Sequence, residues 1–290
     1  MTLEIVPLGG KLGAEVRGIN AGDELAAADQ AALRAALDKH LTLLFRGQNL
    51  VPVDKHIRFA QTFGPLGAIA DTLIGMGKRK YQPGEIPECV SVISNIKQNG
   101  QAIGSLGDGE CFWHNDSCFA DLPPSACVLH SIEIPKEGGN TAFLSMVDAL
   151  ETLPADLRRR IEGKKIRHSK VYTSAGDIRP QYAGNFDVAN QPGPEHPIVC
   201  TVPGSGKKVL FLGRRLGAYI VGLPVAESEE LLDALWAHTV QDHRVWSHRW
   251  AVGDVVVWDN RTTMHHRDPF DPNARRRMHK VQVAGERPAA

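Results

Sequence analysis

Short segments rich in β-branched and apolar residues, cut apart by Gly, Pro, Asn and Asp, constrain this chain more than any other feature. They run from Thr42 to Phe45, Cys89 to Ser94, Ala126 to Ile134, Thr141 to Met146, Ile198 to Val202, Lys208 to Leu212, Val245 to Trp250, Asp254 to Trp258 and Met278 to Val283. Runs this short and this bounded read as strands that stack into a sandwich or curl into a barrel. Helical spacing shows in three places, about Leu25 to Leu41, Val147 to Ile161 and Glu227 to Thr239, with Ser145 placed to cap the second and Pro224 to open the third. The prediction is a mainly β protein with helices laid over its surface. Between Gly64 and Glu88 the chain is rich in Gly, Lys and Pro without a clean period, which predicts a long loop of the kind that serves as a lid or binding loop.

Size agrees with that architecture. With 290 residues, 42% apolar and 23% charged, the chain can bury a core and has none of the bias of a disordered or collagenous protein. No internal repeat and no long linker divides it, so residues 1–290 are expected to form a single domain. Lys plus Arg and Asp plus Glu both number 33, a balance without the cationic surplus that draws a nucleic acid or an anionic membrane surface; neither partner is expected. No stretch approaches the ~20 apolar residues of a membrane span, and Met1-Thr2-Leu3-Glu4 does not read as a leader, so a cytoplasmic protein is expected. The five cysteines, Cys89, Cys111, Cys118, Cys127 and Cys200, include no Cys-x-x-Cys pair and read as free thiols.

Two of the twelve histidines stand in settings that carry chemistry. In Phe112-Trp113-His114-Asn115-Asp116 the His and Asp are two residues apart, and on extended backbone such side chains leave the same face and can converge on one metal ion. The buried-strand pattern Asp254-Val255-Val256-Val257-Trp258 runs into a loop that ends at His265. Two imidazoles and one carboxylate, with three positions left open, make the facial triad of non-heme Fe(II) oxygenases. Downstream of each lies a further clue, Gly138-Gly139-Asn140-Thr141 after the first and Arg275-Arg276-Arg277 after the second. A chelating keto acid with a remote carboxylate needs a fixed cation, and arginine offers two parallel donors.

Beyond these, Leu8-Gly9-Gly10-Lys11-Leu12-Gly13-Ala14-Glu15-Val16, Phe45-Arg46-Gly47-Gln48, Phe63-Gly64-Pro65-Leu66, Trp113-His114-Asn115-Asp116-Ser117, Gly253-Asp254 and Trp258-Asp259-Asn260-Arg261 occur in that order. In these motifs the chain resembles the Fe(II)/2-oxoglutarate dioxygenases typified by taurine dioxygenase and the chlorophenoxyacetate dioxygenases (TauD/TfdA), over nearly its whole length. The resemblance implies a double-stranded β-helix (jelly-roll, cupin-like) core with flanking α-helices. It implies Fe(II), 2-oxoglutarate as cosubstrate, and O2, with hydroxylation of a C–H bond as 2-oxoglutarate is converted to succinate and CO2. The implied iron ligands, which are also the catalytic residues, are His114, Asp116 and the histidine four positions after Trp-Asp-Asn-Arg, His265, leaving His266 as a neighbour. An arginine eleven residues beyond the distal ligand, Arg276, binds the remote carboxylate, assisted by a threonine twenty-seven residues beyond the first ligand, Thr141.

Substrate choice is expected to turn on position 280. Taurine dioxygenase-like members carry an arginine fifteen residues beyond the distal ligand, where this chain has Lys280, a cation without the bidentate fork. A small organic acid is expected, an aryloxyalkanoate by the further matches Gly222-Leu223-Pro224-Val225-Ala226-Glu227 and His248-Arg249-Trp250. Weaker substrate candidates are Lys78, Arg79, Lys80 and Tyr81 in the long loop, Arg214, Arg215, His168 and Tyr172. Phe112 and Trp113 are expected to pack the core, Asn115 has no assigned role, and Asp259, Asn260 and Arg261 are expected to shape the distal loop. The alternatives are a taurine or alkylsulfonate dioxygenase, a non-catalytic metal-binding jelly roll, and a zinc hydrolase. A homo-oligomer is expected from the resemblance alone.

Overall fold

A computed structural model describes residues 2–67, 86–182, 184 and 187–290. Two sheets face one another. The larger has eight strands in the order Glu4–Pro7, Ala14–Arg17, Thr42–Phe45, Val255–Asp259, Ala126–Glu133, Arg277–Val283, Val90–Ser94 and Ser105–Leu106. The smaller has four antiparallel strands, Trp246–His248, Thr141–Ser145, Thr263–Arg267 and Cys111–His114. This is the jelly-roll arrangement expected, as two facing sheets that do not close into a barrel.

Side-chain alternation explains why the large sheet is buried on both faces. Along Val255–Asp259 every residue is buried, as a strand covered above and below must be. Val256 and Trp258 join Leu44, Leu129, Phe143 and Met278 between the sheets. Val255 and Val257 point the other way, against Leu43, Phe45, Val128 and Val281 and the apolar faces of helices Ala27–His40 and Val53–Gln61, which contribute Leu33, Leu37 and Phe59. On the far side of the small sheet, Leu144 and Met264 pack beneath Leu231, Leu232 and Leu235 of helix Val225–Thr239.

Several expectations shift by physical detail. The helical pattern over 147–161 is two helices, Met146–Glu151 and Ala155–Ile161, because Pro154 cannot continue the first and opens the second. Ser145 does cap the first, its Oγ accepting from the Asp148 N–H at 3.1 Å. Helix Val53–Gln61, two turns and a half with only His56, Phe59 and Ala60 buried, was too short to stand out by periodicity. All five cysteines are free thiols. Most of the long segment expected between Gly64 and Glu88, including Lys78, Arg79, Lys80 and Tyr81, lies outside the described residues. No helix among the described residues is long and apolar enough to cross a membrane.

Candidate functional site

Register brings the first two histidines together. His265 pairs directly with His114 across the strands Thr263–Arg267 and Cys111–His114, so both imidazoles leave the same face, and their ring centres stand 4.2 Å apart. Asp116 follows in the turn after His114, with its Oδ1 3.6 Å from His114 Nε2 and 3.9 Å from His265 Nε2. All three donor atoms lie within 4.8 Å of one another, and all three residues are buried. One ion about 2.1 Å from each atom can bridge the two imidazole–carboxylate spans, since that allows atoms up to about 4.2 Å apart. The donor set of two imidazoles and one carboxylate suits Fe(II).

The surroundings prepare each donor. His114 Nδ1–H donates to the Phe112 carbonyl at 2.6 Å, which fixes the tautomer and leaves Nε2 as the free lone pair. His265 is held by packing, its ring stacked on Phe143 and tilted against Trp258 at 4.9 Å. Burial, with His114 close by, keeps its imidazole well below the usual histidine range and therefore neutral. Burial alone would push the Asp116 carboxyl up, but Lys280 with both histidines overrides it and holds the group well below the usual carboxylate range. The neighbour His266 faces away, its Nε2 2.7 Å from Glu110 Oε1, with Trp113 stacked on its ring.

Two asparagines clamp the loop that carries Asp116 to the loop before His265. Asn115 Nδ2 donates to the carbonyls of Asn260 at 2.9 Å and Thr263 at 2.8 Å. Asn260 returns the contact, its Oδ1 accepting from the Asp116 N–H at 2.8 Å and its Nδ2 donating to the carbonyls of Asp116 and Pro124. Asn260 thus shapes the loop as expected, and Asn115, which had no role, proves to be its partner.

Among the three consecutive arginines the structure separates one. Arg275 is on the surface, bonded to Glu133, and Arg277 is half-buried, whereas Arg276 is 2% exposed, with no carboxylate within salt-bridge distance and no partner for Nε among the described residues. Burial and the neighbouring Arg267 pull its guanidinium down to about 9, still charged at neutral pH. Its backbone is fixed by Asn95 and Ser94, and Gly139, at φ +65°, lies so close that a Cβ there would stand 3.2 Å from Arg276 Nε. A buried cation without an anion is costly, and a carboxylate from outside the chain would offset that cost. Thr141 is buried and its Oγ1 accepts from Trp250 Nε1–H at 3.0 Å, a positioning contact that sequence reasoning did not find.

The remaining candidates scatter. Lys280 Nζ lies 2.6 Å from Asp116 Oδ2, which also accepts from Cys127 Sγ at 3.3 Å. Arg215 is tied to Glu229 and Asp233 near the surface. Arg214, bridged to His114 through the backbone, and His168 are buried close together. Phe112 is a correction: it is 43% exposed, not core, because the ring faces outward while its carbonyl holds His114.

The family model described as taurine catabolism dioxygenase TauD, TfdA family matches residues 4–282. The chain is similar to a (S)-phenoxypropionate/alpha-ketoglutarate-dioxygenase of Delftia acidovorans, 33% identical over 98% of this chain and 96% of the relative. It is 32% identical to an alpha-ketoglutarate-dependent 2,4-dichlorophenoxyacetate dioxygenase of Cupriavidus pinatubonensis, over 97% of each chain. An alpha-ketoglutarate-dependent sulfate ester dioxygenase of Pseudomonas putida is 30% identical over 99% of this chain and 91% of its own. Among solved structures, AAD-2 in complex with Mn(II) and N-oxalylglycine superposes with a TM-score of 0.78 at 27% identity, covering 100% of both chains.

Proposed function

The chain belongs to the TauD/TfdA family, and from that premise we propose that it hydroxylates a small organic acid of aryloxyalkanoate type, with His114, Asp116 and His265 holding the iron. As a member of that family it is an oxidoreductase, a dioxygenase that uses Fe(II), 2-oxoglutarate and O2. The observation that carries the residue assignment is the pairing of a convergent His/Asp/His set with a buried, anion-less Arg276.

When bound, Fe(II) with 2-oxoglutarate and O2 supplies the oxidising power to replace a C–H by a C–OH bond, as 2-oxoglutarate becomes succinate and CO2. The chain's own residues do the rest. His114 and His265 offer lone pairs, and Asp116 stays ionised because Lys280 above all offsets its burial. Arg276, with Thr141 oriented by Trp250, holds the remote carboxylate of the cosubstrate and so fixes its register against the metal ligands. Burial of all five residues excludes water from the reaction. Hydroxylation at the carbon beside an ether oxygen gives a hemiacetal, which collapses to a phenol and a keto acid.

A sulfur oxyanion is the second reading for the substrate, favoured by the 30% identical sulfate ester dioxygenase. The proposal also takes residues 1–290 as one domain, supported by strands from both ends of the chain, Glu4–Pro7 and Arg277–Val283, sharing a sheet. It takes the protein as a cytoplasmic homo-oligomer that engages neither nucleic acid nor membrane. Anaerobic titration with Fe(II) and 2-oxoglutarate, followed by a screen of aryloxyalkanoates and alkyl sulfates for succinate release, tests the function. Phenol formation from one of the acids is the expected result, and 2-oxoglutarate consumption with none of them overturns it.

A further inference from the structure

The interior holds a second buried arginine that the cosubstrate does not account for. Arg214 is 3% exposed, and its backbone forms an antiparallel bridge with His114, reinforced by the Asn115 N–H donating to the Gly213 carbonyl at 3.0 Å. Residues directly opposite in such a bridge send their side chains to the same face, with Cβ atoms about 4.5–5.5 Å apart. His265, His114 and Arg214 therefore form one row, and Arg214 leaves the backbone on the metal-facing side.

Its charge is not matched. Of its five N–H donors the structure engages one, Nη2 with the Ser169 carbonyl at 2.9 Å, and Nε has no partner among the described residues. No carboxylate there lies within salt-bridge distance. Beside it sits His168, 1% exposed, with neither ring nitrogen hydrogen-bonded among the described residues. Glycine at 213, φ +68°, makes room for this ring, since a Cβ would stand 2.2 Å from His168 Nδ1. Arg179, also buried, packs over the Phe119 ring at 4.2 Å and is close enough to repel Arg214.

Counting charges assigns the anion. One remote carboxylate of 2-oxoglutarate satisfies Arg276, and Arg267 belongs to that end, since both guanidiniums flank Phe270. Lys280 is committed to Asp116. We propose that Arg214, flanked by His168 and Arg179, receives the carboxylate of the organic-acid substrate at the His114 edge of the metal site. The proposal rests on the dioxygenase reading above and deepens it: the substrate anion is recognised by an arginine fork beside His114.

The test uses the full-length enzyme loaded with Fe(II) and 2-oxoglutarate, with (S)-2-phenoxypropionate, phenoxyacetate and the neutral analogue phenoxyacetamide as probes. In Arg214→Met the KM for both acids should rise about 10- to 150-fold, the loss of a charge-assisted hydrogen bond, while phenoxyacetamide changes less than about 3-fold. The affinity for 2-oxoglutarate should stay within about 2-fold, and Arg214→Lys should recover part of the acid selectivity. Should the methionine variant not fold, the lysine variant carries the test through the same acid-to-amide ratio. An unchanged acid KM, an equal loss on acid and amide, or a collapse of 2-oxoglutarate binding overturns the role of Arg214 and leaves the dioxygenase reading standing. If wild-type enzyme consumes 2-oxoglutarate with none of the acids, it is the reading itself that fails.

Discussion

Lys280 Nζ and Asp116 Oδ2 stand 2.6 Å apart in the interior, so the two oxygens of one carboxylate have separate partners: Oδ1 faces the two imidazoles and Oδ2 faces an ammonium. The pair is also mutual, since Asp116 outweighs burial and keeps the Lys280 ammonium above its ordinary range. An interior carboxylate that could rotate freely would be a poor ligand. Lys280→Met should therefore weaken Mn(II) or Fe(II) binding about 10- to 100-fold, the usual cost of losing a group that orients a ligand. Metal titration by calorimetry reads this directly. A variant with full metal affinity and a loss confined to acid substrates would instead place the substrate anion on Lys280.

Arg276→Met should raise the 2-oxoglutarate concentration needed for half-saturation by about 10- to 150-fold, because the cation it removes is buried with no carboxylate to meet among the described residues. Arg275→Met should leave that concentration unchanged, its guanidinium being engaged with Glu133 at the surface. Trp250→Phe should have an intermediate effect, since Thr141 keeps its hydroxyl but loses the Nε1–H that orients it. Titration of the three Fe(II)-loaded variants under anaerobic conditions checks the order.

The strands with continuous apolar runs were legible because their pattern comes from burial on both faces, as in Val255–Asp259 and Ala126–Glu133. The two that carry the histidine ligands were not among the apolar runs: Cys111–His114 is only four residues long and exposes Phe112, and Thr263–Arg267 places His265, His266 and Arg267 where a core strand would place apolar side chains. His114, Asp116, His265, Thr141 and Arg276 could be named from motif spacing. Asn115, Trp250 and Cys127 could not, because their contacts run to residues 11 to 148 positions away, and only the fold supplies those partners. For Arg214 the sequence contained a clue, two arginines after an apolar run, but nothing in the order of residues tells the buried Arg214 from the salt-bridged Arg215 beside it.

Asn260→Ala should couple stability to metal binding. The side chain makes three hydrogen bonds to buried backbone groups, and removing it leaves the Asp116 N–H and two carbonyls without that partner. A loss of about 2–4 kcal/mol in urea unfolding is expected, together with weaker Mn(II) binding, because the Asp116 loop is no longer clamped to the loop before His265. Asn260→Asp keeps the acceptor for the Asp116 N–H and should fall between. Equal metal affinity in all three proteins would mean that the clamp serves the fold alone.

Acid sensitivity should trace in part to His56, which is no part of the His/Asp/His set. It is fully buried where helix Val53–Gln61 meets the large sheet, its Nε2–H donating to the Val128 carbonyl at 3.2 Å and its ring against His130. Burial, with His130 and His279 nearby, lowers its imidazole to about 3, whereas in the unfolded chain it titrates near 6.5. Between those values the unfolded state binds a proton that the native state refuses, so the contribution to stability is complete above about pH 6.5 and declines as pH falls toward 3. The slope for one such group is about 1.4 kcal/mol per pH unit. His56→Gln can still donate to Val128 and does not titrate, so its unfolding free energy, compared with wild type at pH 7, 6 and 5, should show a slope smaller by about that amount. Parallel slopes in the two proteins would show that acid lability arises at other groups, with His168, equally buried and held well below the usual histidine range, the next to replace.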